Sequence, residues 1–234
     1  GGVVVDALEL KRKTKPEKSI FDIYPKLEKG NWIRADIHRR ENLTPRRFRS
    51  IVGAIKELVK KGHNINFIEM SATRMALDFY GLRKELDKLK SKKNFLYTKV
   101  WPEYGHVIEF FESDKCIAAL TDSGGVQEEL NLIGKACMTC RLTTDRPETV
   151  FDAKSNILVP PASKEIIAKM VNYVSDNESL RKRMESSKKL YGSNVGKKFI
   201  SVVSNLMENN DNPFKWAHDT MKLWRDNEKG IDYL

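Results

Sequence analysis

The sequence predicts a doubly wound α/β fold, a parallel sheet with helices on both faces. Three observations carry this. Short apolar runs alternate with longer amphipathic ones along most of the chain, which is the signature of βαβ units. Right-handed crossovers between such units cover both faces of the sheet. Finally, 40% of the 234 residues are apolar and 9% aromatic, enough to build a core of that size.

The elements follow in order. NWIRADIH, ending at His38, reads as the first strand. PRRFRSIVGAIKELVKKG follows as a helix, with Phe48, Ile51, Val52, Ile55 and Leu58 on one face and Gly62 as its stop. NINFIEM is the second strand, and SATRMALDFYGLRKELDKL a helix broken near Gly81. NFLYTKV is the third strand, with EYGHVIEFFESD as its short helix. CIAALTDS is the fourth, with GVQEELNLIG as its helix. KACMTCRL and SNILVP are the fifth and sixth strands. SKEIIAKMVNYVSDNESLRKRMESSKKL reads as one long helix and GKKFISVVSNLMEN as the last. The expected division is an entry segment with a linker helix over 1–30, the α/β domain over 31–205, and a helical extension over 206–234. Phe214, Trp216, Met221, Leu223 and Trp224 give that extension apolar anchors.

Composition excludes several classes. No run approaches the ~18 apolar residues of a membrane span. The apolar patch of GGVVVDALELKRK precedes its basic cluster, the wrong order for a secretion signal. Three cysteines suit a reducing compartment and a cytoplasmic protein. Cys137 and Cys140 form a C-x-x-C, but on a strand an odd separation sends the thiols to opposite faces, and no second pair completes a zinc site. The net charge of +10 comes from 42 basic and 32 acidic residues. The basic residues are interleaved with polar and acidic ones, so a solvated lysine-rich surface is favoured over nucleic-acid binding. No metal or cofactor is expected.

Doubly wound sheets take ligands at the carboxyl ends of their strands. The residues placed there are His38, Met70–Arg74, Trp101–Tyr104, Ser123–Gly125 and Thr143–Arg146. Ser123-Gly124-Gly125 joins a strand directly to a helix. Its glycines let a ligand approach the backbone, and the helix start offers free N–H groups, which makes an anion seat. The rival reading is a plain tight turn. Glu129 lies four residues after Gly125 on the same helix face, where a carboxylate suits a pair of hydroxyls beyond the phosphate. Phosphate at the helix tip with a diol beyond describes a ribonucleotide. Glu128 points about 100° away and reads as a solvent or packing residue. Arg146 can add a charged fork to the same phosphates, with Pro147 fixing the backbone after it. Its rival role is a surface pair with Asp145 or Glu148. His38 can serve a sugar or phosphate oxygen, or it can be a structural histidine. His63, His106 and His218 read as structural.

TDSGGVQEE, TTDRPETV, HRREN and the opening GGVVVDAL together resemble the non-hydrolysing UDP-N-acetylglucosamine 2-epimerases over roughly residues 1–205. The resemblance implies the C-terminal, UDP-binding half of a two-domain enzyme of the GT-B type, with a Rossmann-like domain. It implies interconversion of UDP-N-acetylglucosamine and UDP-N-acetylmannosamine through UDP elimination and re-addition, in the service of cell-surface polysaccharide synthesis. Ser123, Gly124 and Gly125 would hold the diphosphate, Glu129 the ribose hydroxyls and Arg146 the phosphates. His38 is the catalytic candidate, facing the diphosphate or sugar. Pro102 and Val107 stand in the place of the uracil-contacting loop. The acid and base carboxylates would belong to an N-terminal domain absent from this chain, and the partners would be that domain, a UDP-sugar and a second copy in a homodimer. Two rivals stay open: half of a related GT-B glycosyltransferase or hydrolysing epimerase, and a degenerate nucleotide-binding module. Met70 and Ser71 depart from the family's His-Pro at that place, which puts its activator site in doubt.

Overall fold

In a computed structural model of the protein, the described residues run from Gly2 to Glu208. The chain opens with α1 (Val4–Lys13), α2 (Ile20–Ile23) and a 3-10 turn at Pro25–Glu28. Then come β1 (Trp32–Asp36), α3 (Pro45–Lys60), β2 (Asn64–Glu69), α4 (Ser71–Phe79), α5 (Arg83–Asp87) and β3 (Phe95–Lys99). After these follow α6 (Tyr104–Glu112), β4 (Cys116–Thr121), α7 (Gly124–Ile133), β5 (Ala136–Thr139), α8 (Pro147–Phe151) and β6 (Asn156–Leu158). The last helices are α9 (Lys164–Asp176), α10 (Glu178–Glu185) and α11 (Val195–Glu208). All neighbouring strands pair in parallel, in the order β3-β2-β1-β4-β5-β6. Their carboxyl ends therefore share one edge, and the order reverses between β1 and β4.

β1 shows how the sheet separates two cores, because successive side chains face opposite sides. Ile33, Ala35 and Ile37 pack with Phe48, Ile51, Val52 and Ile55 of α3 and with Ile167 and Val171 of α9. Trp32 faces the other way, among Ile20, Leu27, Trp101, Phe110 and Phe111. The α3 face read from the 3.6-residue period is buried at every position, each large side chain contributing roughly 1.5–3 kcal/mol. Gly62 (φ +99°) ends that run, and Gly81 (φ +66°) separates α4 from α5.

Three elements differ from expectation. The long helix stops at Asn177, whose side chain accepts the Leu180 N–H at 2.9 Å and starts α10. The run 175–179 is wholly polar, so the apolar stripe lapses between Val174 and Leu180, a stop that the reading as one helix passed over. The segment after Arg146 winds into α8, with Pro147 in its first turn. β5 ends at Thr139, and Cys137 and Cys140 face different cores, as their odd separation predicts.

The described residues form two compact units: Ala7–Tyr191, and a smaller one joining the residues up to Asp6 with those from Gly192 onward. These boundaries differ from 1–30, 31–205 and 206–234. Ile20 and Leu27 are fully buried beneath the sheet, in the part of the entry segment that belongs to the larger unit. In the smaller unit the Asp6 carboxylate accepts the N–H groups of Val195 and Gly196 at 3.3 and 2.7 Å, at the start of α11. Phe214, Trp216, Met221, Leu223 and Trp224 lie outside the described residues, as does His218. No helix among the described residues is long and apolar enough to cross a membrane.

Candidate functional site

The loops after β1, β4 and β5 meet at the carboxyl edge, and Asp122 ties them together. This fully buried residue follows β4. Its carboxylate accepts the backbone N–H of His38 at 3.0 and 3.1 Å, that of Arg39 at 2.9 Å and the Asn42 amide at 2.9 Å. The Asn42 amide also donates to Cys140 O at 2.8 Å, which reaches β5. Several donors converging on one carboxylate make its burial sustainable. The His38 ring stays about one-third exposed, with Nδ1 at 3.3 Å from Asp122 Oδ1 but without hydrogen-bond geometry.

α7 begins in the middle of this junction. Ser123 caps it by accepting the Val126 N–H at 3.5 Å, while its own N–H donates to Thr121 Oγ1 at 3.0 Å. Gly124 is buried against the next loop: a Cβ there would lie 3.1 Å from both Asp145 carboxylate oxygens and 3.4 Å from Arg39 Nη2. A side chain there would push the Asp145 carboxylate back by a few tenths of an ångström. Gly125 is exposed and opens outward. Buried Gln127 donates to Ser123 O at 3.1 Å and accepts from Thr144 and Asn156, which stitches α7 to the loop after β5.

Arg39, Arg141 and Arg146 at this edge are already paired. Asp145 accepts from Arg39 Nη2 and from Arg141 Nη1, each at 2.9 Å, and Arg141 Nε donates to Glu41 at 2.8 Å. A carboxylate thus stands at the first turn of α7, where a helix favours negative charge. Burial works against ionisation of Asp145, but its hydrogen bonds and the guanidinium charges hold its carboxyl below the ordinary value. Arg146 Nη1 donates to Asp145 O at 2.7 Å, and Arg146 Nε pairs with Glu128. Glu128 is therefore neither a solvent nor a packing residue. The loop after β5 folds back over α7 and gives it a partner, which helical phase alone does not reveal.

Glu129 is half-buried one turn into α7. Burial pushes its carboxyl up to about 7; the Tyr104 hydroxyl and the Arg34 charge work against this, while Asp36 and Glu128 add to it. Pro102 is exposed, and Val107 is half-buried against the core that holds Trp101. His106 is buried; its Nδ1 accepts the Glu103 N–H at 3.3 Å and its Nε2 lies 3.0 Å from Lys18 O. It fixes the start of α6, a structural role. Met70 and Ser71 start α4, away from the Ser123–Asp145 junction in sequence and strand. The sequence reading missed Asp122, Asp145, Arg39, Gln127 and the Arg34–Asp36 pair. Asp122 and Asp145 both lie inside the motifs that drew attention; the overlooked signal at Asp122 was a charge at the end of an apolar run.

A doubly wound sheet with a capped, glycine-started helix at the reversal of strand order defines a class: α/β domains that take ligands at their carboxyl edge. Within that class, residues 1–204 match the family described as UDP-N-acetylglucosamine 2-epimerase. The chain belongs to that family. It is 32% identical over 174 residues to the UDP-N-acetylglucosamine 2-epimerase of Methanocaldococcus jannaschii, covering 71% of this chain and 45% of that protein. It is 30% identical over 162 residues to the UDP-2,3-diacetamido-2,3-dideoxy-D-glucuronate 2-epimerase of Pseudomonas aeruginosa, covering 69% and 40%. The crystal structure of the M. jannaschii UDP-GlcNAc 2-epimerase in complex with UDP-GlcNAc and UDP superposes with a TM-score of 0.72 at 27% identity, covering 88% of this chain and 54% of that one. The chain thus spans about half the length of the relatives it matches.

Proposed function

We propose that this chain is the UDP-gripping half of a cytoplasmic 2-epimerase that interconverts UDP-N-acetylglucosamine and UDP-N-acetylmannosamine for cell-surface polysaccharide synthesis. The observation that carries it is the start of α7: a serine cap, a glycine whose Cβ position is crowded by Asp145, and one turn later a half-buried carboxylate. The diphosphate sits at Ser123–Gly125, with Arg146 as a further phosphate donor once it leaves Glu128. The ribose hydroxyls donate to Glu129, and the uracil stands beside Pro102 and Val107. His38 faces the diphosphate or the sugar.

In the reaction a base removes the proton at sugar C2. That electron pair forms the C1–C2 double bond, and the C1–O bond breaks with its pair on the diphosphate. Re-addition of UDP at C1, with a proton delivered to the opposite face of C2, completes the epimerisation. The proton-transfer carboxylates are assigned to a preceding domain. This half stabilises the leaving diphosphate through helix N–H groups and cations, and keeps UDP in place for re-addition. Homodimerisation remains part of the reading.

The test is calorimetry with UDP beside an assay for UDP-N-acetylmannosamine. Binding without turnover is expected. Absence of UDP binding overturns the reading, and turnover by the 234 residues alone overturns the division of labour. A second reading keeps the UDP grip but changes the sugar, as the P. aeruginosa relative suggests. It predicts that UDP competes equally with several UDP-sugars.

A further inference from the structure

The His38 side chain is about one-third exposed, yet its Nδ1 is buried and makes no hydrogen bond. Asp122 Oδ1 lies 3.3 Å from that nitrogen. Asp122 is itself fully buried, and its two oxygens are unequally used. Oδ2 accepts the His38 N–H at 3.1 Å, the Arg39 N–H at 2.9 Å and the Asn42 amide at 2.9 Å. Among the described residues Oδ1 accepts only the His38 N–H, at 3.0 Å. A carboxylate oxygen has room for two donors, so Oδ1 keeps one place open, beside Nδ1. The charge on this pair decides where the ring proton sits. With a lone pair on Nδ1, two buried acceptors would face each other, both short of a donor. With a proton there, the same atoms attract, and a small turn of the ring completes a charge-assisted hydrogen bond. Such contacts are often loose before a ligand arrives and tighten with it.

We propose that Asp122 is a positioning residue for His38: it holds the imidazole with a proton on Nδ1 and leaves Nε2 to serve the ligand. Nε2 is then an acceptor when the ring is neutral and a donor when the ring is charged. In the charged form Nδ1 donates to Asp122, which steadies the imidazolium, and Nε2 donates to an oxygen of the diphosphate or the sugar. The buried aspartate of a Ser-His-Asp triad sets its histidine in the same way. The consequence for a nucleotide rests on the function proposed above; the place of the ring proton does not.

Two readouts separate the proposal from the function it builds on. The first is NMR of the imidazole nitrogens in the ligand-free chain, labelled with nitrogen-15 histidine, at alkaline pH where imidazoles are ordinarily neutral. His38→Gln identifies the His38 signals among those of the four histidines. The expected spectrum shows a protonated Nδ1 and a bare Nε2; the reverse in the wild type overturns the proposal. Asp122→Asn keeps an oxygen for the backbone donors and removes the charge beside Nδ1. It should move the proton to Nε2 in part or in whole, and an unmoved proton overturns the proposal as well. If that variant does not fold, the wild-type Nδ1 proton decides: slow exchange with solvent upholds the bond to Asp122, and free exchange overturns it. The second readout is calorimetry with UDP-N-acetylglucosamine on a double-mutant cycle. Asp122→Asn should weaken binding about tenfold or more in the wild type, and little in a His38→Gln background, because its effect passes through the ring. Equal losses in both backgrounds mark an aspartate that only ties the loops together, and overturn the positioning role. The expected spectrum with no binding by the wild type upholds the positioning of His38 and removes the nucleotide.

Discussion

Glu129 shows at the residue scale what a buried carboxylate costs the fold. Burial raises its carboxyl from 4.5 to about 7. Between those values the folded chain holds a proton that the unfolded chain has released, so stability falls as pH rises through this window. The penalty is absent below pH 4.5 and complete above 7. Glu129→Gln should therefore stabilise the ligand-free chain at pH 8, by up to ~3 kcal/mol, and change little at pH 4.5. Thermal melts at the two values check this, and equal effects at both would show that the carboxyl is not held neutral by burial. Under the proposed function the same variant weakens UDP binding, a trade of stability against activity. Ser123, Gly124 and Glu129 were legible because cap, close approach and helical period are local rules. Glu128 and Asp122 were not, since their partners come from other loops: Glu128 meets Arg146 of the loop after β5, and Asp122 meets His38, Arg39 and Asn42.

At the scale of elements, the strands and α3 were readable from apolar runs and a 3.6-residue stripe, while the α9–α10 junction was not. The polar run from Ser175 to Ser179 interrupts the apolar stripe but is short enough to pass for a solvent face, and the Asn177 side chain, turned back onto the Leu180 N–H, makes the stop. That cap makes a prediction: Asn177→Ala should cost about 1 kcal/mol, whereas Asn177→Asp should cost much less. Urea unfolding of both variants tests it, and equal losses would mean the helix break is held by packing instead. α8 escaped notice for a related reason. It is a five-residue helix begun by a proline, too short to show a period.

For the whole molecule, alternation of runs fixed the class but not the order of the strands. Parallel pairing in the order β3-β2-β1-β4-β5-β6 places the loops after β1 and β4 on either side of the reversal. Those two loops, with the one after β5, build the junction around Asp122. Sequence neighbours never announce this, because it depends on which strands lie side by side. Nor did the sequence show that Ile20 and Leu27 bind the entry segment to the larger unit, since a four-residue helix and a 3-10 turn carry no period.

Asp145 has one more consequence. It is tethered between Arg39 and Arg141 at the tip of α7, and under the proposed function it would be a resident competitor, held at a high effective concentration by its own chain. An incoming diphosphate would then exchange with it instead of filling a vacant seat. Few solution counterions would be displaced, and affinity would respond only weakly to added salt. Asp145→Asn would release the arginines to mobile ions, strengthening UDP binding at low ionic strength and steepening its salt dependence. Calorimetric titrations of both proteins at two salt concentrations decide it: parallel slopes would mean that the carboxylate never gives way.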